Sequence, residues 1–108
     1  MMDQDNETWL IYAGDAIITT KAAHGIDALG LRDRLIYCLW VADYGMRNAG
    51  DLATAGELYP AFHSEALQAA TELQLPHAKA AFSLSVPALE AKYFELFGDV
   101  CNELRAAG

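Results

Sequence analysis

Leu35-Ile36-Tyr37-Cys38-Leu39-Trp40-Val41-Ala42 decides how this chain folds. The eight residues are apolar on every side of a helix, an arrangement that is stable only when neighbours surround it. The run is far short of the roughly 20 residues that span a bilayer, so it reads as the middle of a central core helix over about Leu31 to Arg47. Asp43 follows the run, and Gly45 stands inside the helix. A mid-helix glycine costs up to about 1 kcal/mol relative to alanine, which close approach of another backbone would explain.

Outward from this segment, apolar residues recur at i, i+3, i+4 and i+7, and alternation with a period of two is nearly absent. The pattern predicts an all-α fold, a compact single-domain bundle of about five to six helices spanning residues 1–108. The first helix is expected from about Glu7 to His24, with Asp5 or Asn6 accepting from its free amides and Gly25 ending it in a left-handed conformation. Residues 48–56 read as a turn or broken helix, with Asp51 capping a short helical piece up to Tyr59. A helix over about Ala61 to Leu73 buries Phe62, Ala66, Ala69, Ala70 and Leu73. Pro76 marks a break before a short helix over about His77 to Leu84. Ser85 caps the last helix, which carries Pro87 in its first turn and runs to about Arg105. There Leu89, Tyr93, Leu96, Val100 and Leu104 form one stripe, widened by Phe97 and Cys101. Short connections predict that neighbouring helices pack roughly antiparallel.

The chain has 108 residues, 15 Asp+Glu against 7 Lys+Arg, a formal charge of −8 and 54% hydrophobic residues. A domain of this size buries roughly two-thirds of its unfolded surface, and the apolar fraction argues against disorder despite the acidity. The charge opposes direct binding to nucleic acid or to an anionic membrane. The acidic amino terminus lacks the positive region of a secretory signal, and two cysteines make no disulfide framework, so a cytoplasmic location is expected.

No catalytic signature stands out, and no metal or cofactor is implied. His24, His63 and His77 match no metal spacing and read as surface or capping residues. Cys38 and Cys101 fall on apolar faces and read as small core hydrophobes. Asp15 is expected to face solvent. Asp43 precedes Arg47 by four residues, which predicts a partly exposed helical ion pair. A sharper reading has Asp43 reaching the amides of the Asn48–Asp51 turn. A deep pocket around Asp43, Asn48 or His63 would point to an enzyme.

The acids of the last helix say more. Glu95, Asp99 and Glu103 stand at i, i+4 and i+8, a column with roughly 6 Å per step. Like charges at that spacing oppose helix formation by a few tenths of a kcal/mol per pair, and only Lys92 relieves one end. A column that stability disfavours suits a basic partner, whereas the plainer reading is a solvated face that maintains solubility. Glu65 and Glu72, seven apart, share one face of their helix, and Asp3, Asp5 and Glu7 would extend the negative surface.

The segment Ile36 to Gly50, IYCLWVADYGMRNAG, resembles the core motif of the bacterial DNA-mimic protein family of acidic, all-helical domains. Members carry an apolar helix ending in Asp and an aromatic residue, then Asn-Gly-Gly and further aromatic residues. Asp43, Tyr44, Asn48 and Gly50 fall on the motif. Ala49 stands where the family has its first glycine, and Asp51-Leu52 where its aromatic and polar residues follow. A weaker similarity extends over about Leu35 to Leu104. The resemblance implies a non-catalytic bacterial protein whose negative surface imitates DNA and occupies the DNA-binding face of a basic protein such as a transcription regulator. Glu95, Asp99 and Glu103 are the first candidates for that surface, and Glu65 and Glu72 are further candidates. The alternative is a small structural or oligomeric protein, an immunity-type or accessory subunit, whose acidity serves solubility. It would bury Trp9, Tyr59 and Phe94 between two copies in a homodimer.

Overall fold

A computed structural model describes residues 5–107, and Asp3 lies outside them. The described residues form six α-helices and one short 3-10 turn, with no strand. Helix α1 spans Asn6–His24, the 3-10 turn Ile26–Ala28, α2 Leu31–Asn48, α3 Ala53–Leu58, α4 Phe62–Leu73, α5 Pro76–Ser83 and α6 Val86–Ala107. The chain is all-α, as its periodicity predicts, and its radius of gyration is 12.7 Å, close to the ~13 Å of a compact chain of about 100 residues.

The ends of the helices follow local chemistry. Asp5 accepts from the Thr8 amide at 2.7 Å and starts α1. Gly25 ends it with φ +86° and ψ 165°, an extended mirror-image conformation that is essentially restricted to glycine, rather than the expected left-handed helical one. Asp51 takes both the amide and the hydroxyl of Thr54 at 3.1 Å, so it starts α3. Gln74 closes α4 in the left-handed region with φ 58°. The Leu75 amide there reaches back to the Ala70 carbonyl at 3.0 Å, and Pro76 opens α5 where its missing amide is harmless. Ser85 accepts from the Ala88 amide at the start of α6.

Helix α2 is the centre. Leu35 through Leu39 and Val41 through Asp43 are all buried, because α1, α3, α4 and α6 all pack against this helix. Gly45 is where α3 crosses: a Cβ there would lie 2.7 Å from the Asp51 carbonyl oxygen and 3.1 Å from the Ala55 amide nitrogen. The glycine therefore serves a backbone-to-backbone approach. Helices α1 and α2 run antiparallel, since Glu7 meets Arg47, Gly14 meets Trp40 and Lys21 meets Tyr37. Helix α1 buries only the stripe Leu10, Gly14 and Ile17, which leaves Ile11 and Tyr12 outside.

Cys38 and Cys101 are fully buried, and burial pushes each thiol up to about 12. Both should resist a thiolate-selective reagent at pH 8 in the folded protein and react once denaturant is added. Stoichiometric labelling without denaturant would contradict their placement in the core.

Candidate functional site

Of the motif residues, Asp43, Tyr44 and Asn48 line a groove between α1 and α2, and α6 packs on Asp43. Asp43 is buried, with 5% exposure. Arg47 Nε donates to both of its oxygens, at 2.9 and 3.0 Å, and the Tyr93 hydroxyl donates to Oδ1 at 2.7 Å. The ion pair expected from the i, i+4 spacing is present, but it lies on a buried carboxylate rather than a partly exposed one. The reason is tertiary: α6 covers Asp43 and brings Tyr93 to it across 50 residues of sequence. Burial raises the Asp43 pKa above the ordinary carboxylate value, against the opposing pull of Tyr93 and Arg47. The turn after α2 does not take its shape from Asp43. Glu90 of α6 accepts from the Leu52 amide at 2.7 Å instead, and Gly50 makes the reversal with φ +75°.

Above Asp43 lies a groove of about 330 Å³, lined by Glu7, Ile11 and Asp15 of α1 and by Trp40, Asp43, Tyr44, Arg47 and Asn48 of α2. Each helix contributes residues four apart, so two adjacent helical faces make the walls. Tyr44 is 43% exposed and stacks on Trp40 at 5.6 Å between ring centroids. Asn48 donates to the Tyr44 carbonyl within the last turn of α2. Gly14 lets the indole lie flat against α1, since a Cβ there would fall 2.3 Å from Trp40 Cδ1. Arg47 closes one end of the groove: it pairs with Glu7 at 3.6 Å and lies over the rings of Phe94 and Phe97 at 5.2 and 5.0 Å.

The acidic column divides. Each i, i+4 step turns about 40° around a helix, so the row Glu95, Asp99, Glu103 slants across α6 and its last member arrives beside α5. There the two Glu103 oxygens accept from the His77 and Ala78 amides at 2.9 Å each. Glu103 thus caps a helix across the fold. Glu95 and Asp99 stay exposed. Glu65 is turned inward, where it accepts from the Tyr59 hydroxyl and pairs with Arg34 at 3.6 Å, whereas Glu72 is exposed. The two do not present equivalent carboxylates to solvent, although they share a row of α4. Among the described residues, the carboxylates of Asp15, Asp33, Glu57, Glu72, Glu95 and Asp99 make no hydrogen bond or ion pair.

Trp9 and Tyr59 are not the free surface rings that a homodimer reading invokes. Both pack partly against the core, with Arg105 over Trp9 and Tyr37 edge-on to Tyr59. Phe94 is 55% exposed, and Ile11 and Tyr12 are exposed with it. His63 is held 2.8 Å from the Leu84 carbonyl and lies outside the groove, while His24 and His77 are exposed. No group of three or more His, Cys, Asp or Glu among the described residues could hold a metal ion, and none of the helices is long and apolar enough to cross a membrane.

Sequence reasoning located Asp43, Tyr44 and Asn48 but not the α1 wall that makes them a groove, because Glu7, Ile11 and Asp15 carry no motif of their own. Their four-residue spacing was the available signal. Compared with known proteins, the chain matches no family model, no curated sequence and no solved structure.

Proposed function

We propose that this is a non-catalytic acidic binding protein that occupies the DNA-binding surface of a basic protein, such as a DNA-binding regulator. The observation that carries the reading is the unengaged pair Glu95 and Asp99 on α6. They sit within one helical turn of Gly98 and Asn102, to which Asn6 of α1 bonds. The amino-terminal turn of α1 therefore adds Asp5 and Glu7 to the same region. Acidic groups from two helices lie there, and among the described residues Lys92, Arg47 and Arg105 are the cations on or beside them. An arrangement of this kind favours a cationic partner and speeds its association.

The non-catalytic part of the reading rests on Asp43. Both of its oxygens are engaged by Arg47 and Tyr93, so the one buried carboxylate of the motif serves the packing of α2 against α6. The localisation that goes with this function is the cytoplasm, where such regulators act.

The test is capture of the basic, DNA-retained proteins of a bacterial extract by the immobilised chain. Capture should weaken steeply with salt and vanish at about 1 M, where the screening length is about 3 Å. Glu95→Lys combined with Asp99→Lys should abolish it at low salt. Capture that is indifferent to salt and to both substitutions would refute the proposal.

A second reading follows from Phe94, Ile11 and Tyr12, whose exposure suits contact between two copies. Sedimentation velocity over a range of concentrations decides this, since a strict monomer leaves no role for such a contact.

A further inference from the structure

The aromatic row of α2 already holds one cation, at its Tyr37 end. Tyr37, Trp40 and Tyr44 stack in sequence, with centroid separations of 6.4 and 5.6 Å. Lys21 lies over Tyr37 at 5.4 Å, whereas Arg47 lies over Phe94 and Phe97 of α6 and not over a ring of the row. Beyond Tyr37 the Trp40–Tyr44 pair lines the groove of about 330 Å³ and, among the described residues, has no cation over its rings. Asp15 stands on the opposite wall with no partner among the described residues, and Ile11 completes that wall.

We infer that this middle section of the groove receives an arginine side chain projecting from the basic partner. The guanidinium would lie on the exposed Tyr44 ring beside Trp40 and donate to the Asp15 carboxylate, while its methylene stem covers Ile11. A planar, weakly hydrated guanidinium suits a site of stacked rings and one carboxylate better than the compact ammonium of lysine. A second copy of this chain is the poorer occupant, because its net charge of −8 opposes approach to a wall that is already negative. The inference rests on the proposed binding of a basic protein and adds the residue through which that protein is anchored.

The probe is acetyl-Gly-Arg-Gly-amide, titrated into isotope-labelled protein and followed by amide and indole NMR shifts, with the citrulline peptide as its neutral isostere. The arginine peptide should shift the Trp40 indole together with amides of α1 and α2 along the groove. It should bind about tenfold tighter than the citrulline peptide. Asp15→Asn should weaken it about threefold, and Tyr44→Ala should weaken it by a similar or larger factor, whereas Glu57→Gln on α3 should leave it unchanged. Equal binding of the two peptides, or shifts spread over α6 and not the groove, would overturn the inference. Groove resonances that move with protein concentration in the absence of peptide would also overturn it, by assigning the groove to a second copy. If these outcomes occur while Glu95 and Asp99 still govern capture of basic proteins, the anchor fails and the proposed function stands. If capture fails as well, both fall.

Discussion

Gly45→Ala is expected to lower the stability of the protein by about 2 to 3 kcal/mol, read as a shift of the urea midpoint followed by far-UV circular dichroism. Alanine has the better helix propensity, so propensity alone predicts a gain of about 0.5 to 1 kcal/mol. The opposite sign follows from the crossing of α3. The added methyl would lie 2.7 Å from the Asp51 carbonyl oxygen, and a carbonyl in the backbone cannot swing aside as a side chain does. Relief requires α3 to move away from α2, and that movement exposes Leu52 and Ala55, which are buried beneath it. Gly98→Ala is the internal comparison. Gly98 lies within α6, and a Cβ there meets nothing within 4 Å, so this substitution should stabilise by about 0.5 to 1 kcal/mol. A neutral or stabilising Gly45→Ala would mean that the two helices do not touch through their backbones.

The second large effect is expected at Arg47. Arg47→Ala leaves the buried Asp43 carboxylate with Tyr93 as its only donor, and we expect a loss of about 2 to 3 kcal/mol at pH 7. This lies below the range for fully buried pairs because the Arg47 side chain keeps 30% of its surface exposed. Tyr93→Phe removes one neutral donor and should cost about 1 to 2 kcal/mol. The pH dependence follows from the raised pKa of Asp43. Between the ordinary carboxylate pKa and the raised one, the folded state retains a proton that the unfolded chain has released. This site therefore lowers stability as pH rises through that window, and below the ordinary pKa the effect is absent. Without Arg47 the buried charge is less compensated and the window widens. The gap between wild type and Arg47→Ala should accordingly be smaller at pH 4 than at pH 7, as measured by urea midpoints of both proteins. A gap that is equal or larger at pH 4 would show that Asp43 does not carry a buried charge at neutral pH.

These two positions mark what a reader of the sequence alone sees and does not see. Gly45 is visible because it breaks a local rule, a glycine inside an otherwise continuous helix, and the rule is broken for a local steric reason. The limits of α1 and the cap at Asp51 are visible in the same way, since a carboxylate three residues before a free amide acts within one turn. The engagement of Asp43 by Tyr93 is not visible, because nothing in a helical repeat relates positions 50 apart. Glu103 shows the limit of a pattern that is real. Its spacing from Glu95 and Asp99 is helical, but the 40° drift per step carries it to the start of α5, and only the packing of α5 on α6 shows that it becomes a cap. Glu90 on the Leu52 amide is a second cap across the fold of the same kind. The groove escapes notice for a related reason: its walls come from two helices, and each wall alone looks like an ordinary solvated face.

The distribution of charge also changes meaning once the caps are known. Asp5, Asp51, Glu90 and Glu103 accept from backbone amides at helix starts or turns, so part of the acidity supports the fold. The carboxylates without a hydrogen bond or ion pair among the described residues are fewer than the composition suggests, and they include Asp15 on α1 and Glu95 and Asp99 on α6. The most direct measurement is competition. DNA-retained proteins bound to the immobilised chain are challenged at low salt with duplex DNA, and with polyglutamate of equal total charge. The account predicts that duplex DNA releases them, that polyglutamate does so far less well, and that the chain in turn displaces the same proteins from DNA. Bound proteins that remain on the chain under saturating duplex DNA would contradict it, because the surface they use would then not be the one that binds DNA.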